Sequence, residues 1–236
     1  MIPIVTISSI IVLIFLSLLT VKIYFSYLKK RSATITYFLK AFISFCLALL
    51  IFAPNGILIK DLETISLIFN IYTFFVFLGA NYLVMLTLQI MQKQLLKKIL
   101  FPLILIYGFL VSAIPVLDLK PALVDVQGSF IFWEDARGDL INNLIGFGLA
   151  AIIVWVISFF IYNGLKTQDK YTKRRSLLIS AGMTCFLLGS ATDYILAASQ
   201  NIFYVSIFTV FWYILTTAFL LFAVEYKKEE NFKENV

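Results

Sequence analysis

The sequence predicts an all-α, polytopic membrane protein with seven transmembrane helices, its N-terminus outside and its C-terminus inside. Three observations predict it. The 236 residues are 61% hydrophobic and only 14% charged, whereas a globular domain is about 45–50% apolar and about 25% charged. The apolar residues fall into seven runs, each near the roughly 20 residues that cross a bilayer core. The basic residues gather in alternate loops, which is how cytoplasmic loops are marked.

The first run extends from Met1 to about Leu28 and is followed, not preceded, by Lys29, Lys30 and Arg31. That order reads as an uncleaved first helix rather than a signal peptide. Further runs cover about 35–54, 64–91, 99–117, 141–163, 176–198 and 202–224. Pro54-Asn55-Gly56 is a turn signal closing the second. Pro102 suits the first turn of the fourth helix, and Pro115 lies near its end. Residues 1–226 therefore form one seven-helix domain, with a long outer loop at 118–140. A short charged cytoplasmic tail, 227–236, is expected to leave no room for an effector. Within the loop, Val124–Trp133 alternates loosely around Gly128 and reads as a short hairpin over the bundle mouth.

Sixteen of the 19 basic residues lie on one side under this topology; only Lys60, Lys120 and Arg137 lie on the other. The net charge of +6 therefore belongs to membrane topology and attraction to anionic lipid headgroups, not to nucleic acid. The expected location is the cell (inner) membrane, multi-pass. The expected partners are the lipid bilayer and a membrane or cytoplasmic protein.

The chain has no histidine. That excludes histidine metal ligands, serine–histidine hydrolysis and histidine phosphotransfer within it. Cys46 and Cys185 sit in apolar runs without a CxxC pattern and read as reduced thiols. There is no nucleotide-binding glycine loop or paired acid–base carboxylate motif. The expectation is a non-enzyme without cofactor or metal.

Polar residues inside the spans mark faces that meet protein rather than lipid. Asn70, Thr73, Phe77 and Asn81 share one face of the third helix, either as interhelical hydrogen-bonding groups or as a ligand lining. Gly146 and Ala150 form a small-xxx-small pair with Asn142 one turn earlier. Asn142 and Asn143 lie at the outer mouth, as helix-capping groups or as part of a site. In the sixth helix, Gly182, Gly189 and Asp193 share a face. Asp193 lies within roughly two turns of the outer surface, either hydrated there or lining a polar cavity. Ser206, Thr209, Tyr213 and Thr216 form a hydroxyl stripe on the seventh helix, which must face protein. The stripe has no lysine, so a retinal Schiff base is excluded. Trp155 and Trp212 read as interface anchors or packing. The candidate ligand-binding residues are Asn70, Asn81, Trp133, Asn142, Asn143, Asp193, Tyr194 and Tyr213.

The layout resembles the seven-helix N-terminal sensor region of bacterial membrane histidine kinases. The segments carrying the resemblance are FVFLGANYLVMLTLQIM at 75–91, QGSFIFW at 127–133 and LKTQDKYTKRRSLLISAGMTCFLLGSATDYIL at 165–196. In that family a basic cytoplasmic turn leads into a glycine-rich sixth helix, with the same orientation. The family continues into a cytoplasmic signalling domain, whereas only the ten-residue tail 227–236 is expected after the seven-helix domain here. The resemblance therefore implies a sensor or receptor-like subunit that signals through a partner. A small transporter or channel, and a structural subunit of a membrane complex, are the other functions weighed.

Overall fold

In the computed structural model, the described residues are 2–55, 57–127, 129–134, 137–197 and 202–225. They form β1 (Ile2–Pro3), α1 (Ile4–Lys29), α2 (Ala33–Phe52), α3 (Leu62–Ile90), α4 (Gln94–Leu117), β2 (Leu123–Gln127), β3 (Phe130–Glu134), α5 (Asp139–Lys166), α6 (Lys170–Ala197) and α7 (Ile202–Glu225). Among the described residues, six helices are long and apolar enough to cross a membrane, which makes this a multi-pass membrane protein. Helix α6 is as long as α5 and opens on a basic turn with Lys170, Lys173, Arg174 and Arg175.

Helix boundaries follow local chemistry. Asp61 caps α3 by accepting the Thr64 N–H at 2.9 Å, and Ser32 caps α2 through the Ile35 N–H at 3.2 Å. Both satisfy donors that a helix start leaves open. At the α3–α4 turn, Gln92 adopts φ 57°. The Lys93 N–H donates to Leu88 O at 3.0 Å and the Gln92 N–H to Gln89 O at 3.2 Å, a Schellman closure with glutamine in the left-handed position.

One sequence expectation needs correction, and one element is added. Helix α4 begins at Gln94, not near residue 99, so Pro102 lies in its interior rather than its first turn. The charged residues Lys97 and Lys98 broke the apolar run but not the helix. The all-helical class also gains a small sheet of order β1-β3-β2. The expected hairpin is present as β2–β3, with Val124 opposite Trp133, and β1 adds to it in parallel, with Ile2 opposite Phe130. Phe130 stacks on Phe203 of α7 at 5.3 Å, so the sheet sits where α1 and α7 begin.

Successive helices run antiparallel. α1, α2 and α3 pack in order, α5, α6 and α7 likewise, and α7 returns to α1, while α3 also meets α5. α4 leans mainly on α3. The most heavily buried helix is α3. A mid-bundle aromatic layer joins α2, α6 and α7: Phe42–Phe45 at 5.8 Å, Phe45–Phe186 at 5.3 Å and Phe186–Tyr213 at 5.4 Å. Close approach needs small residues. A Cβ on Gly79 would lie 2.6 Å from the Phe45 ring, one on Gly108 2.6 Å from Phe77 Cβ, and one on Gly182 2.9 Å from Leu220.

Candidate functional site

The polar face of α3 points inward as its spacing requires. Asn70 is 2% exposed, Thr73 3% and Asn81 0%. In an apolar interior each polar group needs a partner. Asn70 Nδ2 donates to Ser66 O at 3.1 Å, and Thr73 Oγ1 donates to Phe69 O at 2.8 Å. Their remaining acceptor capacity is met from the loop after β3. Arg137 Nη1 donates to Asn70 Oδ1 at 3.3 Å and to Thr73 Oγ1 at 2.9 Å.

Thr73 lies eleven positions past the start of α3, about 16 Å along the helix at 1.5 Å per residue. A guanidinium at that depth is costly unless protein groups surround it. The backbone that carries it is itself held. Asn142 Nδ2 donates to Arg137 O at 3.0 Å, and the Asn142 and Ile141 N–H groups both donate to Gly138 O, which starts α5. Beside Arg137 opens a cavity of about 180 Å³ lined by Ser66, Pro115, Asp118, Lys120 and Ile141. Two cationic side chains and one carboxylate border it, so its balance favours an acidic guest.

Of the residues the sequence singled out, Asn70 and Asn142 therefore meet at Arg137. Asn81 does not: its Nδ2 donates to Phe101 O on α4 at 2.9 Å, an interhelical contact, while its Oδ1 has no partner among the described residues. Asn143 is exposed and faces away from the bundle. Trp133 is half-buried on β3, paired with Val124. Tyr213 belongs to the α6–α7 seam, where its hydroxyl lies 3.3 Å from Ser190 Oγ. The side chains of Asp193 and Tyr194 lie outside the described residues.

The hydroxyl stripe of α7 faces protein. Ser206 and Thr216 are buried, and Thr216 Oγ1 donates to its own helix at Trp212 O, at 2.9 Å. Gly189 fits against Trp212 and Tyr213, where a Cβ would lie at 3.2 Å. Trp155 is more than an anchor, since its Nε1 donates to the buried Thr87 of α3 at 3.1 Å. In α5, Gly148 is a point of close approach outside the small-xxx-small pattern: a Cβ there would lie 2.7 Å from the Tyr107 ring.

Sequence reasoning missed Arg137, which it counted only as a loop charge. The signal available was that Arg137 is one of only three basic residues on the acidic side and lies close in sequence to Asn142. It also missed a larger cavity of about 460 Å³ at the opposite, basic end of the bundle. Both cysteines are free thiols. Among the described residues no cluster of three histidine, cysteine or acidic side chains converges as a metal site.

No protein-family model matches the chain, and no curated protein matches it.

Proposed function

We propose that this protein is a non-enzymatic, receptor-like subunit of the cell (inner) membrane with seven spans, N-terminus outside and C-terminus in the cytoplasm. In this reading α6 is the seventh span, and the charge asymmetry across the loops supports the orientation. A small ligand with an acidic group enters the outer mouth beside Arg137, and the resulting helix shift passes to a partner protein at the basic end. The resemblance to histidine-kinase sensor regions agrees with that role.

The observation that carries the proposal is Arg137, fastened by Asn142 and inserted between Asn70 and Thr73. A ligand that draws on this guanidinium also alters its hold on α3, and α3 packs against α2, α4 and α5. Binding must favour one bundle arrangement over another for any signal to pass.

The test uses the full chain in phosphatidylcholine nanodiscs, titrated with acetate, succinate and inorganic phosphate. Hydrogen exchange is read over residues 66–73 and 137–142. The expected result is slower exchange in both segments with at least one anion, abolished by Arg137→Ala and kept in part by Arg137→Lys. Equal response in wild type and Arg137→Ala would refute the assigned site.

A transporter is the second reading, since cavities open at opposite ends of the bundle. The aromatic layer of Phe42, Phe45 and Phe186 between the helices weighs against a continuous polar path. Solute flux in proteoliposomes that Asp193→Asn abolishes would reverse the ranking.

A further inference from the structure

A second cavity, larger than the one beside Arg137, lies at the opposite end of the bundle, among the basic-end termini of α1, α2, α3, α5, α6 and α7. Its volume is about 460 Å³, within the roughly 300–1,000 Å³ of small-molecule sites. Its lining combines apolar side chains, among them Phe38, Leu86, Phe160 and Ile179, with polar ones nearer the helix ends, among them Lys30, Arg175, Asn163 and the buried Ser176. Both ionised residues that line it are cations, and no carboxylate lines it.

Several features point to an acidic head group beside those polar side chains. Neither Lys30 nor Arg175 has a carboxylate partner among the described residues. The Ser176 hydroxyl belongs to a residue 7% exposed, lines the cavity and makes no hydrogen bond to the described protein. Helix α2 also begins here, with Ser32 as its cap and no acid in its first turn, so its positive dipole end lies at the same cavity. The combination of cationic, donor-rich side chains with an apolar lining matches one ligand class. A neutral solute leaves the cations unused, and a small inorganic anion leaves the apolar lining uncovered.

We infer that this cavity binds a single-chain anionic amphiphile, with its carboxylate or phosphate held by Arg175, Lys30 and Ser176 and its hydrocarbon chain between Phe38, Leu86 and Phe160. The site is independent of the outer mouth. It can fill from the adjoining lipid leaflet, whose anionic lipids a basic rim attracts. Occupancy would bridge α2, α3, α5 and α6, giving a lipid control over the packing of the basic end.

The experiment uses the full chain in phosphatidylcholine nanodiscs with a diazirine-bearing lauric acid, photolysed and mapped by peptide mass spectrometry. Competitors are lauric acid, lauryl phosphate, lauryl alcohol and inorganic phosphate. The expected adducts fall on Phe38, Leu86 and Phe160. Lauric acid or lauryl phosphate should displace them, and the alcohol and inorganic phosphate should not. Arg175→Gln should weaken competition by about tenfold, the loss of about 1.4 kcal/mol. Arg175→Lys should restore most of it, and Lys173→Gln, exposed and outside the cavity, should leave it unchanged.

Labelling spread over outward-facing residues such as Leu18 and Phe222 would overturn the inference. So would equal competition by lauryl alcohol, which removes the role of charge, or full competition by inorganic phosphate, which removes the role of the chain. Circular dichroism of each variant separates loss of binding from loss of fold.

Discussion

Gly108→Ala tests whether the α3–α4 contact is as tight as the packing implies. The new methyl would lie 2.6 Å from Phe77 Cβ and 3.0 Å from its Cγ. Carbon atoms in contact prefer about 3.5–4.0 Å, so a gap of about 1 Å must open. Phe77 cannot swing aside, because the clash falls at the root of its side chain and the residue is 1% exposed. The helices themselves must part. Overpacking of this kind costs about 1–3 kcal/mol, against which alanine regains about 1 kcal/mol of helix propensity. The separation also stretches the Asn81–Phe101 hydrogen bond one turn away on the same face, worth about 0.6–1.7 kcal/mol between membrane helices. The expected net loss is about 2 kcal/mol.

The assay is unfolding by sodium dodecyl sulfate in mixed micelles, followed by far-ultraviolet circular dichroism. Gly164→Ala is the internal comparison. Its methyl would meet the Leu177 side chain at 3.1 Å, which can give by a few tenths of an ångström, and Lys173 O at an ordinary contact distance of 3.5 Å, so it should be neutral or slightly stabilising. A double-mutant cycle of Gly108→Ala with Asn81→Ala should be non-additive, since each removes the same bond. Equal stability of the Gly108 and Gly164 variants, or strict additivity with Asn81, would refute the reasoning.

Gln92→Gly should stabilise by about 1 kcal/mol, because glycine takes the left-handed conformation at φ 57° without the Cβ penalty; the same unfolding titration measures it. Trp155→Phe should cost about 0.6–1.7 kcal/mol by removing the Nε1 bond to Thr87, and a cycle with Thr87→Val should place most of that loss in the pair. Asn55→Ala should be neutral or stabilising despite burial, since among the described residues neither side-chain polar atom of Asn55 has a partner. Hydrogen bonds from Thr64 hold the Asp61 carboxyl below its ordinary value of 3.8. A lowered folded value means that its capping contribution is present above the ordinary value and lost as pH falls through the folded one. Amide exchange at Thr64 should therefore lose protection only below about pH 4, and Asp61→Asn should remove that dependence.

The helices were legible because membrane spans announce themselves in composition. Helices α1, α2, α3, α5 and α7 begin or end within a few residues of the apolar runs. The expected starts of α4 and α6, near 99 and 176, fall inside helices that begin at Gln94 and Lys170, and both differences have one cause. Gln94–Lys98 and Lys170–Arg175 are helical but charged, and hydropathy reads solvent preference rather than backbone conformation. The inward face of α3 was also legible, since Asn70, Thr73 and Asn81 repeat at helical spacing. Their partners were not. Arg137 reaches Asn70 across 67 positions, and no local pattern records that contact. The 460 Å³ cavity was invisible for the same reason, being assembled from the ends of six separate helices. Gly108 and Gly148 gave no signal of their own, because what makes each glycine necessary is a neighbouring ring or helix.

The seam between α1 and α7 constrains the order in which the molecule completes itself during synthesis. The inner face of α1, including Val12, Leu16, Leu19 and Ile23, is made first, yet its neighbour α7 is made last. Lipid receives that face without penalty, because hydrocarbon is as apolar as leucine. Asn70 waits as well, until Arg137 leaves the ribosome, and its bond to Ser66 of its own helix shields its amide in the interval. Ile2 can find Phe130 once β3 is made, but Phe130 meets Phe203 only when α7 follows. The α1–α7 seam, with the stack of Phe130 on Phe203, thus forms the final closure of the ring, and a nascent chain halted before α7 would expose an open bundle to the membrane's quality-control machinery.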